Sequence, residues 1–408
     1  MRDISFAMHS DYKDLLYNYI NELSNLKIGW LNAKRYGLAY WLDHNRLQEV
    51  MEKIARNEFF KHQEDHDGAK DPSVCSIFYL SLKKKQVLLG LWRTAVGHPE
   101  QAKMIKFLNN DFKEKRWRSA ANKNAFVLLG KHRYVDAAYF FLLADALKDS
   151  VNVIINKLND IPLAIAVARS YEGSDNGPVL KHIIINTILP EAVISGNRWM
   201  ISWCFWMMGD KAGSIQSLIK PMNLVISDIK KHAPDFKSPT AQNTQHQVNS
   251  LNNEDPVLLL MYDSLRTRQL DYFKGASNMN PQFEFEFAVK AATVYQEMGC
   301  DFISLYLVRN WEFLEVEPSA TVPASKSKSS TVNSEFSTGV IKKIGSGSGT
   351  SVQEPMGILD NFMSPQTTKT STPLEDAIDS SNKYKKNKIQ PPVAAFAEPD
   401  MSAFDFGF

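Results

Sequence analysis

Residues 11–227 keep a helical apolar period almost without a break, in runs of roughly 10 to 15 residues joined by very short connections. Few architectures accept that combination. Each amphipathic helix must bury a stripe, and a connection of a few residues forces it against its sequence neighbour, so the chain is expected to stack helical hairpins. The fold class that follows is all-α, an α-solenoid of stacked helical hairpins. No segment alternates with period two for long enough to make a sheet.

The stretch KRWRSAANKNAFVLLGKHRY (115–134) shows how the phasing works. At 3.6 residues per turn Trp117, Ala120, Ala121, Asn124 and Leu128 share one side, while Lys115, Arg116, Ser119, Asn122 and Lys123 lie largely opposite. Phe126 and Leu129 turn toward the polar side, which predicts that a further element covers that half. Gly130 is expected to stop the helix, because glycine accepts the left-handed conformation and Lys131 and His132 suit the negative end. The following run, RYVDAAYFFLLADAL, is apolar nearly all round and reads as an inner helix; LKDSVNVIINKL is again amphipathic. In NDIPLAIAVARSYEG either Asn159 or Asp160 caps the next helix, with Pro162 in its first turn and Gly173 as its stop.

A weak internal echo supports a repeat. YFFLLADALKDSVNVI and CFWMMGDKAGSIQSLI both run bulky apolar residues into a small residue and Asp, then resume with Ser and an apolar pair, provided one gap is allowed. Four regions follow from the pattern. Residues 1–229 form the solenoid; residues 230–254, polar and proline-bearing, form a linker or surface loop; residues 255–317 add a three-helix end to the array. Residues 318–408, rich in Ser, Thr, Lys and Gly, are expected to be a disordered tail, having too little apolar surface to offset the entropy of ordering.

Composition removes several functional classes. Lys plus Arg number 47 against 45 Asp plus Glu, so no overall field draws in polyanions. Cys75, Cys204 and Cys300 lie far apart without a Cys-x-x-Cys pair, which argues for reduced thiols and against a thiolate zinc site. No apolar run follows Arg2, so no secretory signal is expected, and WMISWCFWMMG from Trp199 is far short of the ~20 residues that cross a bilayer. The expected state is soluble and cytoplasmic, with membranes reached only through partners.

Candidate chemistry is sparse. HQEDH (62–66) puts His62 and His66 one turn apart, a helical zinc spacing, but the metalloprotease form needs Glu where Gln63 stands, and Asp67, Gly68 and Pro72 place the pair at a helix end. GSGSGT (345–350) lacks the Gly-Lys-Ser/Thr ending of a phosphate loop, and DFG (405–407) has no catalytic loop to accompany it. No nucleophile elbow occurs, and Cys75 has no histidine nearby in sequence. We therefore expect no enzyme, no catalytic residue, no metal and no cofactor. Nucleic-acid binding is not expected either, because Trp117 phases to the packed side instead of standing free to stack on bases. The basic edge carrying Arg116 and Lys123 is left as a solvated face that can also meet an acidic protein partner. In the tail, MGILDNFM (356–363) and AEPDMSAFDFGF (397–408) set large apolar residues beside acids, and Ser364-Pro365 and Thr372-Pro373 are candidate phosphorylation sites; the alternative is an inert tail.

Longer stretches are family-specific: YGLAYWL from Tyr36, EKIARNEFF from Glu52, DPSVCSIFYLSLKKKQVLLGLWR from Asp71, and RWRSAANKNAFVLLGKHRYVDAAYFFLLADALKDSVNVIINKLNDIPLAIAVARSYE from Arg116. Together, over about residues 28–226, they resemble the C-terminal helical region of the large subunit of the RAVE complex, also present in the DmX-like, or rabconnectin, proteins. The resemblance implies a scaffold without catalytic activity. Family members bind the detached peripheral, ATP-hydrolysing sector of the V-ATPase, with its stalk and sector-bridging subunit, and promote reassembly on vacuolar and endosomal membranes. In fungi the large subunit also holds a second RAVE subunit and a Skp-type adaptor. The family's amino-terminal β-propellers have no counterpart in this sequence, which reads as a C-terminal piece, a split gene model or a shortened paralogue. A coat-like or tethering solenoid of vesicle traffic is the alternative reading, and an RNA-binding helical repeat trails both.

Overall fold

The computed structural model describes residues 1–233, 236 and 255–314. The tail expected over 318–408, with its motifs, and most of the 230–254 segment lie outside the described residues. Those residues belong to one unit and hold helices but no strand. In chain order the helices are α1 (Arg2–His9), α2 (Lys13–Leu23), α3 (Trp30–Arg35), α4 (Leu38–Trp41), α5 (His44–Asp65), α6 (Ser73–Ser81), α7 (Lys85–Thr94) and α8 (Gln101–Leu108). Next come α9 (Lys115–Gly130), α10 (Tyr134–Leu143), α11 (Leu147–Leu158), α12 (Ile161–Glu172), α13 (Pro178–Ile183) and α14 (Leu189–Ile194), the last two joined through a π-helical turn, Ile184–Ile188. The array closes with α15 (Arg198–Met207), α16 (Lys211–Ile219), α17 (Met222–His232), α18 (Val257–Arg266), α19 (Leu270–Ser277), α20 (Pro281–Glu297) and α21 (Asp301–Asn310). The end of the array therefore has four helices where three were expected, because Arg266 to Leu270 breaks the first run into α18 and α19. α17 also runs to His232, three residues into the stretch read as linker.

Helices that are apolar all round form the inner layer. Residues 75–81 of α6 are buried, as are residues 137–143 of α10 and 163–170 of α12. α6 packs against α5 and α10, α10 against α9 and α11, and α12 against α4, α5, α6 and α11. Each pair shields a stripe that neither helix could hide alone.

One turn recurs through the stack. Lys83, His132, Asp145, Gly196, Gly209 and Gly299 all take positive φ, and each stands two residues before the next helix begins. In each case the following amide donates to the carbonyl five residues back, as Lys84 to Tyr79 at 2.9 Å and Asp210 to Phe205 at 3.0 Å, the outer bond of a Schellman motif. This corrects the reading of 130–132: Gly130 is the last residue of α9 and the left-handed position falls on His132. It also removes the gap from the internal echo. Aligned on their turns at Asp145 and Gly209, α10 and α15 coincide in length and α11 and α16 start together, so that fully buried Ser150 falls on Ser214, and Val151 on Ile215, while the two Asp residues fall one position apart.

Buried arginines close helix ends that the turns leave open. Arg169 of α12 is 1% exposed and donates to the carbonyls of Ala39 (2.6 Å) and Leu42 (2.7 Å) at the end of α4, with Nε on Asp175 at 2.7 Å. Arg198 does the same for Ser217 (3.0 Å) and Lys220 (2.7 Å) behind α16. Asp160 proves to be the cap of α12, accepting from the Leu163 amide at 3.1 Å, while its other oxygen takes the Trp30 indole N–H at 2.9 Å. Asn159 instead ends α11 in the left-handed region.

A first core runs from Met8 to Phe236, and a second gathers Trp199, Ile215, Leu218 and Ile219 with α18–α20. The second core sits on α16, where Gly275 of α19 comes so close that a Cβ would stand 2.7 Å from the Cα of Ala212. There Glu284, buried beside Arg266, accepts from Tyr262 Oη, Arg266 Nη1 and Trp311 Nε1 at 2.9, 2.9 and 3.1 Å, holding residues 311–314 against α18 and α20.

Candidate protein-binding face

α9 presents two kinds of surface on one helix. Its packed side is narrow, because Ala121 and Ala125 on α9 and Ala137 and Ala138 on α10 are all fully buried and let the two helices approach closely. Asn124 and Leu128 complete that side, and Trp117 is partly buried against the first core, as the phasing predicts. Arg116 and Lys123 are exposed, seven residues and so about 10 Å apart along the axis at 1.5 Å per residue. The Arg116 guanidinium lies 5.1 Å from the Trp117 ring centroid, which stiffens its stem.

Two further arginines of the hairpin are committed to ion pairs within the structure. Arg118 reaches Asp145 at 3.9 Å, and Arg133 forks onto Glu100 at 2.5 and 3.1 Å while its Nε holds Asp136. That fork lowers the Glu100 pKa and leaves a fixed clasp between the segment before α8 and α10.

The second half of α9 departs from expectation. A covering element was predicted over Phe126 and Leu129, yet Phe126 stays 55% exposed and Val127 40%. α11 approaches from one side only, and between the helices opens a cleft of about 220 Å³. Phe126, Leu129, Phe141 and Val153 line its apolar part, with Asp149, Asn152, Asn156 and Lys157 on the α11 wall. Phe126 stands edge-on to Phe141, with 5.2 Å between centroids, so the aromatic wall is partly self-supported. The sequence pattern did not point to the α11 wall, although the one-turn spacing of Asn152 and Asn156 on a polar face was a usable signal.

The remaining candidates do not come together as chemistry. His62, on the last turn of α5, and His66, just beyond its end, stack at 4.0 Å, and His66 Nδ1 lies 3.0 Å from the His62 carbonyl oxygen. Among the described residues no group of three or more His, Cys, Asp or Glu is placed to hold a metal ion. Burial pushes the Cys75 and Cys204 thiols far up, so both are neutral at physiological pH. Among the described residues no helix is long and apolar enough to cross a membrane.

Stacked hairpins with Schellman turns define a helical-repeat protein. A family model described as RAVE protein 1 C terminal matches residues 1–307. The chain belongs to that family. It is 39% identical over 395 residues to Regulator of V-ATPase in vacuolar membrane protein 1 of Saccharomyces cerevisiae, covering 91% of this chain and 28% of that relative. The protein of the same name in Schizosaccharomyces pombe is 35% identical over 324 residues, 76% of this chain and 24% of its own length. Human DmX-like protein 1 is 32% identical over 279 residues, 65% of this chain and 8% of that protein. The chain thus spans less than a third of the length of these relatives.

Proposed function

We propose that this chain is a non-catalytic scaffold for V-ATPase assembly, which binds the detached peripheral sector and promotes its return to the membrane sector. The observation that carries the reading is the 39% identity, across 91% of the chain, to a protein named as a regulator of the V-ATPase in the vacuolar membrane. A rigid helical stack suits the task, because it offers a broad preformed surface whose binding costs little ordering entropy. The basic edge at Arg116 and Lys123 is the contact for acidic residues of the stalk, the sector-bridging subunit engages the same chain, and a second RAVE subunit and a Skp-type adaptor join through the family's shared assembly. The protein works from the cytoplasm at vacuolar and endosomal membranes, which it reaches through these partners.

Affinity capture of the chain from cytosol, after a treatment that releases the peripheral sector, tests the reading. The expected outcome is recovery of peripheral-sector subunits. The Arg116→Glu, Lys123→Glu double variant should weaken stalk capture by about tenfold, the effect of losing roughly 1.4 kcal/mol of charge pairing. Its urea midpoint should not move, since both side chains are exposed. Capture of coat or tether subunits without ATPase subunits would replace this reading with a vesicle-traffic one.

A further inference from the structure

Exposed apolar side chains gather in two places, on α21 from Phe302 to Val308 and along α2 with the Tyr12 that precedes it, and only the second forms a regular row. Tyr12, Leu16, Tyr19 and Leu23 follow one another at spacings of four, three and four, the d and a positions of a heptad, and they are 73, 37, 61 and 54% exposed. Leu15, beside the row, is 67% exposed. The opposite side of α2 is the one that packs, with Tyr17 buried beneath Arg46 and Lys53, whose cations lie 4.6 and 5.4 Å from its ring. The chain thus turns the polar-flanked side of α2 inward and holds a coiled-coil seam toward solvent.

A second, independent observation marks the same place. Leu26, just beyond α2, has φ +60° and is 67% exposed. The left-handed region favours glycine there, and although the Leu26 amide donates to the Asn21 carbonyl at 2.8 Å, no packing of the leucine side chain among the described residues offsets that cost.

We infer that α2 is a self-association surface, on which the seam of a second copy of this chain docks antiparallel about a two-fold axis. The row is self-complementary in that register. Tyr12 meets the partner's Leu23 and Leu16 meets the partner's Tyr19, so every layer sets one large ring against one leucine, with d facing a as antiparallel pairs require. Along the flanks Lys13 falls beside the partner's Ile20 and Glu22 beside the partner's Leu15, so no like charges oppose each other. Covering the exposed parts of Tyr12, Leu15, Leu16, Tyr19, Leu23 and Leu26 removes on the order of 700 Å² per copy, close to the ~800 Å² per partner of a standard-size interface. This pairing is separate from the α9 edge and does not depend on the function proposed above.

Light scattering coupled to size exclusion, on the full 408-residue chain at micromolar to hundred-micromolar concentration, tests it. The expected mass rises toward twice 46.3 kDa with concentration. Tyr19→Glu with Leu23→Glu should return the monomer without changing the circular dichroism, since both side chains are exposed. In a Cys300→Ser background, which removes the one thiol that is not buried, Leu16→Cys mixed with Tyr19→Cys should cross-link to each other and neither to itself. A monomer throughout, a dimer that survives the double glutamate variant, or self-cross-linking of Leu16→Cys alone would each overturn the inference. A seam used only for a helix of another protein would appear as the first of these results.

Discussion

Replacing Arg169 by alanine should be the most damaging single truncation of a charged side chain in the first core. The arginine is 1% exposed and satisfies two buried carbonyls, of Ala39 and Leu42, that no turn or helix bond reaches. Stranding each carbonyl costs about 1–3 kcal/mol. Burial already lowers the Arg169 pKa, so removing the cation recovers part of its own desolvation cost and offsets some of the loss. The net expectation is about 4 kcal/mol, or a fall in Tm on the order of 10 °C at roughly 2–4 °C per kcal/mol for a unit of a few hundred residues. Arg169→Lys keeps the charge but cannot fork across both carbonyls, and should cost about 2 kcal/mol. Asp175→Asn should cost about 1 kcal/mol or less, because Asp175 is 33% exposed and its charge is screened. Urea titration followed by tryptophan emission suits the measurement, since Trp41, at the end of α4, is 2% exposed. If Arg169→Ala falls within 1 kcal/mol of the parent, or if Asp175→Asn matches it, carbonyl capping is not what this arginine does.

Two further perturbations probe the joins of the structure. Burial, with Arg268 and Lys13 nearby, lowers the His9 pKa from 6.5 to about 4, while Asp11 and Tyr272 complete its surroundings. The unfolded chain therefore takes up a proton that the folded chain refuses. Stability from this group is complete above about pH 6.5 and lost as pH falls toward 4, by up to about 3 kcal/mol at 1.36 kcal/mol per pH unit. His9→Gln should flatten that part of the profile, and parallel profiles for parent and variant would disprove it. Gly275→Ala forces a Cβ to 2.7 Å from the Ala212 backbone and should destabilise the second core by about 2 kcal/mol in urea melts. Gly90→Ala in α7 meets nothing within 4 Å and should stabilise by about 0.5–1 kcal/mol; equal effects would mean propensity and not close approach sets the Gly275 position.

The period of 3.6 made the layers legible, since all-round apolar runs became inner helices and one-sided runs became outer ones. The side of α9 was readable for the same reason, and Trp117, Arg116 and Lys123 lie where phasing puts them. Turns were harder. Three of the six repeated left-handed positions carry Lys, His or Asp instead of Gly, because a Schellman bond and packing on both sides hold a residue that local preference would not choose. The cleft beside Phe126 was not readable at all, since a period shows which residues leave the helix but not whether a neighbour arrives to cover them. Arg169 left a faint trace, one charge inside AIAVARSY where every other position is apolar, small or aromatic, and a charge in such a run has to find buried partners.

The first helix has a mechanical consequence. Met1 packs against both cores, Phe6 lies 6.1 Å from the Trp199 ring, and Arg268 reaches back to the His9 carbonyl and Asp11. A linear stack with neighbour-only contacts can peel from either end, one hairpin at a time. Here the first eleven residues are riveted to helices more than 250 positions later, so a pull on the amino terminus loads both cores in parallel, and neither can peel while the rivet holds.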